Sequence, residues 1–314
     1  DAIIEGSETI IMAISPGSGY TRSGTQSCGA TAVSSATYTI TDDDAAVTLT
    51  KNWVNGRAND VVSLNIAGAA ITTAGSSSAG GSANNATATA AQGTSLIFTE
   101  AYTTGAAANY ITTFECRRNS DNAIVSPSSG SGLSYTVTVP TGSAMTCIFT
   151  NTRRSAALTI RKTWANAKLN DSVTMTTTGL QNNPTLVAVA NAANDTDSLT
   201  AVTVYAAESA TFSEAYTIGN AANYTPTLTC TGNTTALSGS TLTVNGADTA
   251  IICTYTNTRK SAQLQLRKTW VNATLNDAVT LPATTGFTAN TAAYSSVANT
   301  VSETDTGTAV TVYA

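Results

Sequence analysis

VTLTKNWVNGRAND, residues 47 to 60, returns as LTIRKTWANAKLND at 158 to 171 and as LQLRKTWVNATLND at 264 to 277. Self-similarity at a fixed period marks a repeat architecture, and it decides how everything around it is read. The landmarks after this stretch recur as well. IFTEAYTTGAAANY ends at Tyr110 and TFSEAYTIGNAANY at Tyr224; each is followed by a cysteine, Cys116 or Cys230, and then by CIFTNTRR from Cys147 or CTYTNTRK from Cys253. The equivalent lysines Lys51, Lys162 and Lys268 lie 111 and 106 residues apart, which is one ordinary domain per repeat. The divisions expected are residues 1–44, a different module; 45–154 and 155–260, two complete repeats; and 261–314, a third repeat that stops before its FSEAY counterpart. Only Ser155 to Ala157 and Ser261 to Ala262 separate each TNTR ending from the next first strand. The modules are therefore expected in a stiff, rod-like array, and the chain is expected to continue beyond the truncated repeat.

Period-two alternation in YTVTVP, STLTVNG and ATYTITD, punctuated by Gly, Asn and Ser clusters, predicts an all-β chain of tandem Ig-like β-sandwiches. Residues 67 to 95, rich in Ser, Gly, Ala and Asn, read as a long surface loop or a weakly paired edge.

Alternate residues of a strand share a face. In the repeated first strand that rule groups Lys51 with Val47, Leu49 and Trp53, Lys162 with Leu158, Ile160 and Trp164, and Lys268 with Leu264, Leu266 and Trp270. The lysine is on the apolar face, while Arg161 and Arg267 take the other. Glu100 falls with Leu96, Phe98 and Tyr102, Glu214 with Ala210, Phe212 and Tyr216, Asn151 with Cys147 and Phe149, and Asn257 with Cys253 and Tyr255. Three inward polar groups per repeat are costly to bury unless they meet. Burial favours a neutral amine and a neutral acid, and a neutral amine beside an amide can attack its carbonyl while the acid shuttles protons. The product is a Lys–Asn isopeptide bond. The plainer readings are a buried ion pair with a hydrogen-bonded asparagine, or a lysine that reaches solvent at the strand end. The three tryptophans read as core.

Charged residues make up 11% of the 314-residue chain, the net charge is -5 and histidine is absent. That excludes the basic footprint of nucleic-acid binding, and it removes His-based triads and the commonest zinc ligand. A turnover enzyme is not expected; the only chemistry in view is self-directed and happens once. Four of the five cysteines recur at matching landmarks, which predicts disulfides Cys116–Cys147 and Cys230–Cys253 and an oxidising, extracellular location. Cys28 is left over, either as a buried thiol or with a partner elsewhere.

The K-x-W first strand, the glutamate in an aromatic-flanked strand and the closing TNT resemble the CnaB or SpaA-type prealbumin-like domains of bacterial surface proteins and pili. The resemblance spans roughly residues 45 to 259. It implies a self-formed isopeptide bond, Lys51 to Asn151 promoted by Glu100 and Lys162 to Asn257 promoted by Glu214. The added cysteine pair departs from that pattern. Residues 1 to 44 resemble the C-terminal half of a Calx-beta domain, in DAIIEGSETIIMAI and the closing DDD; the resemblance nominates Glu5, Asp42, Asp43 and Asp44 as calcium ligands, a hard cation preferring oxygen. No cofactor is otherwise required. The function expected is structural: the stalk of an adhesin or the subunit of an extracellular fibre on a cell surface, with self-association or further chain at its open ends, and with no nucleic acid and no membrane insertion in this segment. The alternative is a carbohydrate- or host-protein-binding module presented on sandwich loops.

Overall fold

The computed structural model describes residue 4, residues 7–13, residue 18 and residues 35–314. The chain forms two compact units, Asp1–Arg154 and Ser155–Ala314, and it is all-β, built of β-sandwich modules. Among the described residues no helix is long and apolar enough to cross a membrane.

At the head of the first unit Glu8–Ala13 and Ser35–Ile40 pair antiparallel, with Ile10 opposite Tyr38. In the sandwich that follows, the first strand, Asp44–Val54, lies beside the last, Met145–Arg153, and the two run parallel, Lys51 facing Phe149 and Asn151 facing Trp53 across the ladder. The cysteine strand Tyr110–Arg118 covers the other edge of the last strand, while Ala86–Ala91 and then Ile71–Thr73 extend the sheet beyond the first. A six-stranded sheet supplies the second layer, with the glutamate strand Ser95–Thr104 next to Val61–Ala67 at its centre. Alternate residues of each strand point inward, so Val47, Leu49, Cys147 and Phe149 of one sheet meet Leu64, Ile66, Leu96, Phe98 and Val137 of the other in one core.

Residues 67 to 95 include the weak edges that their composition suggests, Ile71–Thr73 and Ala83–Asn84 at the margins of the two sheets, but they also hold a strand of the core. Ala86–Ala91 is an interior strand, hydrogen-bonded to the first strand on one side and to Ile71–Thr73 on the other. Ala86, Ala88 and Ala90 are buried. The backbone passes close beside it, and position 75 takes glycine: a Cβ there would stand 2.4 Å from the amide nitrogen of Ala86.

The repeated N-x-x-x-N-D tail of the first motif has a backbone cause. Asn55 and Asn59, Asn166 and Asn170, and Asn272 and Asn276 all have positive φ, between 51° and 74°, in the left-handed region where asparagine is among the few tolerated side chains. The tail turns the chain from one sheet into the other. The aspartate that ends it is then locked from across the sandwich: the Tyr110 hydroxyl donates to Asp60 Oδ2 at 2.6 Å, and the Tyr224 hydroxyl donates to Asp171 Oδ2 at 2.6 Å.

The second unit repeats the plan. Its first strand, Ser155–Ala165, runs parallel to its last, Ala250–Arg259, with Lys162 opposite Tyr255 and Asn257 opposite Trp164. The cysteine strand Tyr224–Thr231 flanks the last strand, and a four-stranded sheet containing the glutamate strand Ser209–Ile218 forms the other layer. Beyond it, Ser261–Leu264 pairs Val310–Tyr313, Arg267–Val271 pairs Ser302–Thr306, and Ala278–Leu281 pairs Tyr294–Val297. In this third repeat Lys268 lies opposite Asp305, and its Nζ stands 4.3 Å from the Trp270 ring.

Candidate functional site

The parallel pairing of first and last strands decides the site. It sets Lys51 and Asn151 on neighbouring strands of one sheet with both side chains inward, and the facing sheet lowers Glu100 between them. Lys51 Nζ is 2.7 Å from Glu100 Oε2, and both side chains are wholly enclosed, at 0% exposure. The Asn151 amide nitrogen donates to the other carboxylate oxygen, Glu100 Oε1, at 2.6 Å. One carboxylate therefore holds the amine and the amide nitrogen side by side. The second module reproduces the arrangement: Lys162 Nζ is 2.7 Å from Glu214 Oε1, and Asn257 Nδ2 donates to Glu214 Oε2 at 2.9 Å.

Burial is the dominant influence on the lysines. It pulls both Lys51 and Lys162 down from 10.5 to about 8, and the adjacent carboxylate offsets only part of that fall. Each ammonium also lies against a tryptophan face, 4.6 Å from the Trp53 ring and 4.6 Å from the Trp164 ring. The tryptophans close the end of the core, as their place in the apolar stripe suggests, and they wall the site as well.

The carbonyl oxygens of both asparagines, Asn151 Oδ1 and Asn257 Oδ1, are buried without a hydrogen-bond partner. Leaving such an acceptor unpaired costs on the order of 1–3 kcal/mol. The same cost appears in both modules, beside the same enclosed amine.

Parity reasoning brought lysine, glutamate and asparagine together but passed over a fourth group. The second hydrogen of each asparagine amide goes to a tyrosine, Tyr102 or Tyr216, at 2.6 Å. The signal was present in the motif, since E-A-Y puts the tyrosine on the glutamate's own face; its hydroxyl had no assigned partner.

Cys116 and Cys147 are bonded, as are Cys230 and Cys253, with Cα atoms 4.0 Å and 4.1 Å apart. Each pair sits directly opposite on adjacent antiparallel strands. The last strand is thus tied to the cysteine strand on one side, four residues before the asparagine that faces the first strand on the other.

Of the nominated calcium ligands, Glu5 lies outside the described residues, as does Cys28. The carboxylates of Asp42, Asp43 and Asp44 are within 4.8 Å of one another, and Asp42 Oδ1 accepts the Asp44 amide at 2.9 Å. That hydrogen bond is a turn contact at the entry to the first strand.

A comparison with curated proteins finds no match. Among solved structures the chain is similar to the major pilin protein T-13 of Streptococcus pyogenes, at 12% identity over 70% of this chain and 98% of that one, with a TM-score of 0.37. It is also similar to the TIE protein of Bacillus anthracis, at 11% identity over 87% and 46% with a TM-score of 0.35. A third is a Mobiluncus mulieris adhesin containing intramolecular disulfide, isopeptide and ester cross-links, at 10% identity over 66% and 87% with a TM-score of 0.28. In the family comparison residues 46–153, which make up the first complete sandwich, match the SpaA-type model described as a prealbumin-like fold domain.

Proposed function

We propose that this chain is a load-bearing segment of a secreted surface protein, a stalk or fibre section whose complete modules are each stapled twice, by a disulfide and by a Lys–Asn isopeptide bond. The observation that carries this reading is the enclosed lysine, glutamate and asparagine set, repeated with the same 2.7 Å ion pair in two modules. A buried ion pair is weak as a source of stability, and an unpaired amide carbonyl beside it is a further cost. A covalent bond between the two strands gives that costly arrangement a use.

The chemistry follows from the contacts. Titration at about 8 removes one proton from the lysine to solvent and leaves a neutral amine 2.7 Å from the carboxylate. The freed Nζ adds to the asparagine Cγ, forming the new C–N bond. One proton moves from Nζ to Nδ2 by way of the carboxylate, the Cγ–Nδ2 bond breaks and ammonia leaves. No cofactor takes part, and the reaction runs once per module.

The strand order makes the product mechanically useful. Load enters a module at the start of its first strand and leaves at the end of its last. These strands are parallel neighbours, so tension shears their ladder, and a bond between them carries force past the rest of the fold. The two disulfides support an oxidising location, outside a reducing cytoplasm.

The rate of crosslinking tests the chemistry. Only the neutral amine attacks, and its folded-state value is about 8. Chain recovered unfolded and uncrosslinked, then refolded by dilution, is expected to lose ammonia about tenfold faster per pH unit below that value. The rate should level off above it. Acid quenching and intact mass give the time course, and a rate that is flat across this range would contradict attack by the buried lysine. The sign for stability is the same. Between about 8 and 10.5 the unfolded lysine holds a proton that the folded one has lost, so the uncrosslinked fold gains stability as pH rises through that window.

A further inference from the structure

Resting on the crosslinking reaction above, the geometry points to Tyr102 and Tyr216 as the groups that hold the departing nitrogen and orient the amide for attack. An amide nitrogen has two hydrogens, and in each module both are engaged. Asn151 Nδ2 donates to Glu100 Oε1 and to the Tyr102 hydroxyl, each at 2.6 Å. Asn257 Nδ2 donates to Glu214 Oε2 at 2.9 Å and to the Tyr216 hydroxyl at 2.6 Å. Two acceptors on one nitrogen fix the plane of the amide, and with it the face of Cγ that meets the lysine.

The tyrosine can fix the amide because it is itself fixed. Tyr102 meets Trp53 edge-on, with ring centres 6.2 Å apart, and stacks on Tyr110 at 5.7 Å. Tyr110 in turn is held by its 2.6 Å bond to the buried Asp60. The second module has the same frame, with Tyr216 at 6.3 Å from Trp164 and 5.6 Å from Tyr224, and Tyr224 bonded to Asp171. Burial pushes both phenols up, away from ionisation, so the hydroxyl stays a neutral acceptor while the lysine titrates. As Nζ bonds to Cγ, the amide nitrogen becomes pyramidal and takes its third hydrogen from the glutamate side. The tyrosine keeps it facing that proton until the Cγ–Nδ2 bond breaks and ammonia leaves.

Tyr102→Phe in the full chain removes the hydroxyl and keeps the stacked ring. In the refolding assay the first module is expected to crosslink roughly 10- to 100-fold more slowly, the penalty of a poorly held reacting group, while the second proceeds at its ordinary rate and serves as the internal reference. Peptide mapping separates the two, and formation of Cys116–Cys147 reports that the altered module has folded. The pH profile should keep its midpoint near 8 with a lowered plateau. Tyr216→Phe repeats the test with the modules exchanged, so a folding defect in one still leaves the other. An unchanged rate in a folded module, or a shifted midpoint with an unchanged plateau, would overturn the role of the tyrosine and leave the crosslink standing. Absence of ammonia loss from either module of the unaltered chain would overturn the crosslinking reading itself.

Discussion

Glu100→Ala is expected to destabilise the first module by about 3–5 kcal/mol relative to its uncrosslinked fold, the cost of stranding one member of a buried ion pair, and to abolish its crosslink. Glu100 is placed to do both jobs: it is 2.7 Å from Lys51 Nζ and accepts the Asn151 amide at 2.6 Å. Without it an enclosed ammonium has no counter-charge and the proton has no route to the leaving nitrogen. A second variant separates these losses. Lys51→Met with Glu100→Gln replaces the charged pair by groups of similar volume, which is often close to neutral for a buried pair. It should recover most of the stability of the uncrosslinked fold and none of the crosslink. Denaturant titration, with amide exchange read separately over the two modules, gives the stability; peptide mass gives the bond. A Glu100→Ala module as stable as the uncrosslinked original would mean that the pair is not buried as described.

The second large effect is mechanical. Pulled from its ends, the oxidised first module is expected to show almost no lengthening, because the path of force runs from Asp44 to Lys51, crosses to Asn151 and leaves at Arg153. Everything between Lys51 and Asn151 is out of the load. Asn151→Ala removes the crossing. The disulfide still closes the 31 residues from Cys116 to Cys147, so the remainder of the strand-to-strand span should pay out on the order of 200 Å at about 3.5 Å per residue. Reduction should add roughly 100 Å more. The two staples would act on different strand pairs, since the disulfide joins the last strand to Tyr110–Arg118 and the proposed Lys51–Asn151 bond would join it to Asp44–Val54. Neither substitutes for the other. Single-molecule extension of the variant and the unaltered module distinguishes the cases, and equal contour gains in both would contradict a stapled load path.

The site was legible in the sequence where strand parity carries information. A lysine two residues before a tryptophan in VTLTKNW has to share the face of Val47 and Leu49, and the same logic places Glu100 and Asn151 inward. Parity says nothing about pairing, and the parallel neighbourhood of first and last strands, which brings Lys51 to Asn151, is a property of the sheet. The interior strand Ala86–Ala91 was illegible for a different reason. ATATAA alternates at period two, but alanine carries so little apolar area that the stripe reads as low complexity; its place inside the sheet is visible only once Asp44–Val54 and Ile71–Thr73 are paired on its two sides. Tyr102 falls between these cases. Its inward direction could be read, whereas the partner of its hydroxyl lies 49 residues away on another strand. The paired asparagines of N-x-x-x-N-D show the reverse, since their recurrence is a local demand of left-handed backbone and owes nothing to the site.

The central claim is a covalent bond between Lys51 and Asn151 and another between Lys162 and Asn257, and intact mass measurement of the unaltered 314-residue chain tests it most directly. After complete reduction the chain should be lighter than its sequence by two molecules of ammonia, one for each complete module. Without reduction it should be lighter by four further hydrogens, two for each disulfide. A reduced chain at its full sequence mass would contradict the account.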